Sequence, residues 1–138
     1  MLIIVLSNCT NKTTINEPSS KIEGTWKLFY AEIYENDSLK IKDLTKTSFI
    51  KIINKTHFAF FNQENIGSKK IYGGGGTYTL NGENYVETLS FTSIESIKNH
   101  QFPFTVEIKG DTLIQSGVEE VKSAGIKRKI VEKYIKIK

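Results

Sequence analysis

The sequence predicts an all-β fold, an antiparallel up-and-down barrel of about eight strands, and three observations carry that expectation. Short runs rich in Ile, Phe, Tyr, Val and Thr recur from Gly24 onward, the composition that pleated and half-buried strands favour. Turn signals separate these runs, among them Asn54-Lys55, Asn81-Gly82 and Gly110-Asp111. No strand–helix–strand alternation is visible, which excludes a parallel sheet. Closing such a meander into a barrel removes its exposed edges; a two-sheet sandwich is the structural alternative.

Each element has its own local reason. The first run, Gly24–Glu35, is long and aromatic and ends at Asn36-Asp37-Ser38. Residues 39–46 alternate poorly and read as a short helix or a loop. Residues 48–53 and 55–62 read as a hairpin, with Asn54 placed to accept a positive φ. After a turn over 63–68, the strand over 69–80 contains Gly73 to Gly76, where glycine marks a bulge, a sharp bend or close backbone approach. Asn81-Gly82 turns this strand into Asn84–Phe91. Residues 93–99 suit a single helical turn, 102–109 and 112–117 a further hairpin, and 127–138 the last strand after a loop holding Gly125.

Composition narrows the function classes. A chain of 138 residues, 38% hydrophobic and 25% charged, is of a size and balance for one soluble globular domain. Its net charge of +4 comes almost entirely from lysine, with Arg128 the only arginine, and the lysines are interleaved with Glu and Asp. That dispersal argues against a nucleic-acid partner, which calls for clustered charge and arginine. Cys9 is the single cysteine, and His57 and His100 sit in no ligand motif, so no metal or other cofactor is expected.

The chemistry-bearing candidates are few. Gly73 to Gly76 lacks the following Lys-Ser/Thr and the helix of a phosphate loop. Adjacent Glu119 and Glu120 point to opposite faces of a strand and cannot converge as a catalytic pair. No nucleophile–base spacing can be argued, and no enzymatic activity is expected.

At the N-terminus, the apolar run 1–6 leads into Ser7-Asn8-Cys9. Leu6-Ser7-Asn8-Cys9 resembles the lipobox of bacterial lipoproteins, although Asn8 replaces the usual small residue and no basic segment precedes the run. The resemblance implies a truncated signal-like segment over 1–8, a start of translation further upstream, and a lipid anchor on Cys9. Residues 9–23, rich in Thr, Asn and Ser up to Ser20, would then be a polar tether, and 24–138 the barrel domain. On this reading the protein is held at the bacterial cell envelope and meets the membrane through that anchor. If the chain starts as written, a cytoplasmic protein with an incidental cysteine is the alternative.

The barrel region carries a second resemblance. Gly24-Thr25-Trp26 resembles the Gly-x-Trp opening of lipocalin barrels. The stretches 55–60, 75–82 with Tyr85 and Glu87, and 110–117 resemble lipocalin-like domains of Bacteroidetes lipoproteins, a family mostly without assigned function. The resemblance implies that Trp26 closes the barrel floor beneath a basic side chain from the last strand, either Lys136 or Arg128. The last strand departs from the family pattern by placing Tyr134 between Glu132 and Lys136.

Strand alternation groups Phe58 with Phe60, Tyr85 with Glu87, Leu89 and Phe91, and Glu132 with Tyr134 and Lys136. The candidate ligand-binding residues are therefore Trp26, Phe58, Tyr78, Tyr85, Glu87 and Tyr134, with His57 as a weaker addition. They would line a pocket for a small hydrophobic or amphipathic molecule in a monomeric barrel. Aromatics that simply fill the interior, in a module that docks another envelope protein, form the competing expectation.

Overall fold

The computed structural model describes residues 19–67 and 69–138. Cys9 and the signal-like and tether segments before Ser19 lie outside the described residues. A short helical turn, α1 (Ser19–Ile22), leads into nine strands. These are β1 (Gly24–Glu35), β2 (Ser38–Ile41), β3 (Thr47–Ile53), β4 (His57–Glu64), β5 (Ile71–Asn81), β6 (Asn84–Phe91), β7 (His100–Lys109), β8 (Thr112–Val121) and β9 (Ile126–Ile137). From β3 to β9 each strand pairs antiparallel with the next, and β9 returns to pair with β1. The result is a closed antiparallel eight-stranded barrel, with β2 as an extra strand outside the count.

β1 explains where β2 fits. One of its edges pairs with β9 from Thr25 to Tyr34. The other is shared, Gly24 to Lys27 pairing with β3 and Glu32 to Glu35 with β2. Residues 39–46, expected as a helix or loop, thus begin with a strand. The cause is the turn before them: Asn36 and Asp37 take φ of 51° and 57°, the paired left-handed geometry that fits the twist of a tight hairpin. Their short polar side chains tolerate that conformation.

The β3–β4 turn also corrects an expectation. Asn54 is not left-handed; its side-chain oxygen instead accepts the backbone N–H groups of Thr56 and His57 at 2.9 and 2.8 Å. That Asx-type arrangement ties the turn without a positive φ. The helical turn expected within 93–99 is present over Glu95–Ile97, and Gly125 is left-handed at φ 65° after a second short turn. β8 runs to Val121, beyond the expected end at Gly117.

Two irregularities set which side chains face inward. A register shift between Leu28 and Tyr30 moves the inward face of β1 from Trp26 and Leu28 to Ala31 and Ile33. In β6, Leu89 pairs with Gly76 and Phe91 with Gly75, leaving Ser90 as an extra residue. This bulge turns Phe91 out to 68% exposure, so it does not share the inward face of Tyr85, Glu87 and Leu89. Close approach at the bulge requires glycine: a Cβ on Gly76 would lie 1.8 Å from the Thr88 carbonyl oxygen.

The barrel is closed at the α1 end. Trp26 is 1% exposed, and its indole N–H donates to the Ile22 carbonyl at 2.8 Å. The Lys136 ammonium lies 5.2 Å from the Trp26 ring centre, within cation–π range. Lys136 is therefore the basic side chain over Trp26. Arg128 stands on the cavity wall, where it donates to Glu119 at 2.5 Å.

Candidate functional site

Alternation along the barrel strands sends one residue in two toward the interior. At the α1 end these side chains fill the space: Trp26, Leu28, Ile53, Phe58, Tyr85, Val106 and Leu113 are all buried. Beyond them the interior opens into a cavity of about 500 Å3. Its walls include Ala31, Ile33, Phe49, Phe60, Leu89, Ile97, Phe102 and Phe104, with Lys40, Ile41 and Lys42 contributed by β2 and the residue that follows it. Phe49 and Phe60 stack at 5.5 Å, and Tyr72 and Tyr134 extend this aromatic wall at 5.7 and 6.1 Å.

The inner end of the cavity is polar and charged. Lys51 is 3% exposed, donates to the Gln115 side-chain oxygen at 2.7 Å and forms an ion pair with Glu87. Its ammonium also lies 5.5 to 5.8 Å from the rings of Tyr85, Phe58 and Tyr134. Taking an ammonium out of water is costly, and the ion pair, the hydrogen bond and the aromatic faces offset that cost.

Glu132 stands beside this pair. It accepts a hydrogen bond from Tyr134 at 2.5 Å, and among the described residues no cation lies within ion-pair distance of it. Burial holds its carboxyl above the usual carboxylate range, an effect that Lys51 and the Tyr134 hydroxyl partly offset. The Tyr134 hydroxyl is pushed well up in turn, by burial first and by Glu132 second. Tyr85 is likewise raised by burial and then by Glu87, whose carboxylate it approaches without hydrogen-bond geometry.

Farther along the wall the charges continue. Arg128 and Glu119 form their own pair. Lys42 lies 5.3 Å above the Phe49 ring; burial pushes its pKa down, Glu132 opposes that shift and Arg128 adds to it. Among the described residues Lys42 has no ion pair, and no group of His, Cys, Asp and Glu is arranged to hold a metal.

Of the residues expected from sequence to bind a ligand, Glu87 and Tyr134 line the cavity. Tyr85 and Phe58 do not: they lie under Lys51 as packed core. Trp26 belongs to the closed end. Tyr78 packs against Tyr85 with ring centres 5.2 Å apart and planes inclined at 47°, and donates to the Asn54 carbonyl at 2.8 Å; it does not line the cavity either. His57 is exposed beside Thr56. Lys51, Gln115, Glu132, Glu119 and Lys42 were not among the expected site residues. Alternation held a signal for two of them, since Lys51 falls between Phe49 and Ile53 on one face and Gln115 falls between Leu113 and Gly117.

No protein-family model and no curated protein matches the chain. Among solved structures it is similar to a redesigned β-barrel, with a TM-score of 0.53 over 87% of this chain and 95% of that one, at 11% identity. Likeness at that identity shows the fold alone.

Proposed function

We propose that the protein is a binding module that holds one small hydrophobic or amphipathic molecule inside its barrel. The observation that carries this reading is the cavity of about 500 Å3, apolar along its walls and polar at its inner end. An eight-stranded barrel is just wide enough for side chains to fill it, so unfilled space of this size marks a place for a guest. The volume and the mix of apolar walls with a few polar groups suit a small-molecule site. On the same reading the module is a lipocalin-like envelope protein tethered through Cys9, which intact-mass measurement of the native protein would test by the presence of acyl chains.

The test of binding is titration with a neutral, environment-sensitive dye such as Nile red. We expect saturable binding to the wild type and its loss in Ile33→Trp, where a half-buried wall residue gains bulk without disturbing the closed end. Unchanged dye binding by a folded Ile33→Trp protein would reject the cavity as the site. Absence of binding by the wild type would favour the docking reading, in which the barrel serves as a scaffold.

A further inference from the structure

We propose that the guest carries a protonated amine, enters head first, and pairs its ammonium with Glu132; this rests on reading the barrel as a binding module. Most charges on the cavity wall are already committed to one another. Lys51 is held by Glu87 and Gln115, and Arg128 is held by Glu119. Among the described residues Glu132 accepts a hydrogen bond from the Tyr134 hydroxyl and has no ion pair, although it lines the same cavity and feels the Lys51 charge. A carboxylate on the wall of the cavity whose neighbouring cation, Lys51, is committed to Glu87 is costly to ionise, and an entering ammonium would reduce that cost.

The surroundings suit a cation as well. Phe49 and Tyr134 flank the site with ring centres 6.1 Å apart and planes inclined at 54°. The ammonium of Lys42 already lies 5.3 Å above Phe49, so the protein's own cation rests on an aromatic face that a guest ammonium would use. Lys42 therefore competes with the guest. A guest carboxylate could be received by Lys42, or by Lys40 on the β2 side of the wall, but at the inner end Glu87, Glu119 and Glu132 would repel it, and Lys51 and Arg128 are engaged.

An ammonium pairs only with the ionised carboxyl, which burial disfavours and Lys51 and Tyr134 favour, so amine binding weakens as the pH falls. The charged and titratable groups facing Glu132 are Lys51 on β3, Glu87 on β6, Glu119 on β8, Tyr134 on its own strand, and Lys42 and Arg128.

The experiment is calorimetric titration of octylamine, octanol and octanoate, which share one tail, into the wild type, Glu132→Gln and Lys42→Met. The wild type should bind the amine tightest. Glu132→Gln should weaken the amine about tenfold or more, the scale of a lost buried charge partner, and weaken octanol by a clearly smaller factor. Lys42→Met should tighten the amine and weaken octanoate. Tightest binding of octanoate, an amine preference that survives Glu132→Gln, or weaker amine binding in Lys42→Met would each overturn the amine assignment while leaving the barrel a binding module. Failure of all three compounds to bind the wild type would overturn both.

Discussion

Replacing Lys51 by methionine is the sharpest probe of how the charged interior is held. The substitution keeps an unbranched stem of similar length and removes only the ammonium. It leaves the Glu87 carboxylate, 7% exposed, without its partner, and breaking a buried pair in this way costs about 3–5 kcal/mol. Gln115, 2% exposed, loses the donor to its side-chain oxygen, and an orphaned buried acceptor costs about 1–3 kcal/mol more. The two costs share one cluster and will not add fully. A loss of at least about 3 kcal/mol is expected, a large part of the roughly 5–15 kcal/mol that holds a domain together. Urea denaturation followed by the fluorescence of Trp26, the single tryptophan, reads this directly. Adding Glu87→Leu should recover most of the loss, because a buried pair exchanged for packed apolar groups is often near neutral. A Lys51→Met protein that loses less than about 1 kcal/mol, or a double variant no more stable than the single, would refute this account of the cluster.

Two further predictions concern the backbone and the interior carboxyl. Gly76→Ala should destabilise by about 3 kcal/mol or more, since its Cβ would collide with the Thr88 carbonyl. Gly82→Ala, in open space at φ +61°, should cost only about 1 kcal/mol for its left-handed backbone; equal effects in urea melts would discount the clash at Gly76. For Glu132, burial raises the folded carboxyl above its ordinary value of 4.5, so the folded state binds this proton more tightly than the unfolded state does. That contribution is complete below the ordinary carboxylate range and is lost as pH rises through the raised folded value. Glu132→Gln should therefore gain stability relative to the wild type as pH rises from about 4 to 7, whereas a variant that loses stability relative to the wild type over that range would give the shift the opposite sign.

Much of the frame was legible because strand alternation and turn chemistry are local. The hairpins at Asn81-Gly82 and Gly110-Asp111, the helical turn near Ile97 and the glycine-marked bulge in β5–β6 all follow from residues next to one another. The bulge's consequence was not legible. Glycine at 73–76 signals an irregularity, but only the pairing register shows that Ser90 is the extra residue and that Phe91 turns outward.

The site was legible in part for a similar reason. Tyr85, Glu87 and Tyr134 do face inward, yet depth along the barrel decides whether an inward residue packs or lines a cavity. Tyr85 lies beneath the cluster and Tyr134 at its edge, a difference fixed by strand stagger around the barrel. The role of Lys51 is not legible in sequence because an isolated lysine in a strand is ordinarily solvent-facing. Its burial depends on Glu87 and Gln115, which come from strands distant in sequence.

Whether the barrel interior receives a guest can be read by titration of octanol monitored by NMR of methyl and aromatic groups. A guest in the cavity gives saturable shifts at Leu89, Ile97, Phe102 and Ile126, which line it, while the Trp26 indole N–H, bound to Ile22 at the closed end, stays in place. Shifts that fail to saturate, or that fall on the outward-facing residues Phe29, Ile52 and Val118, would contradict it.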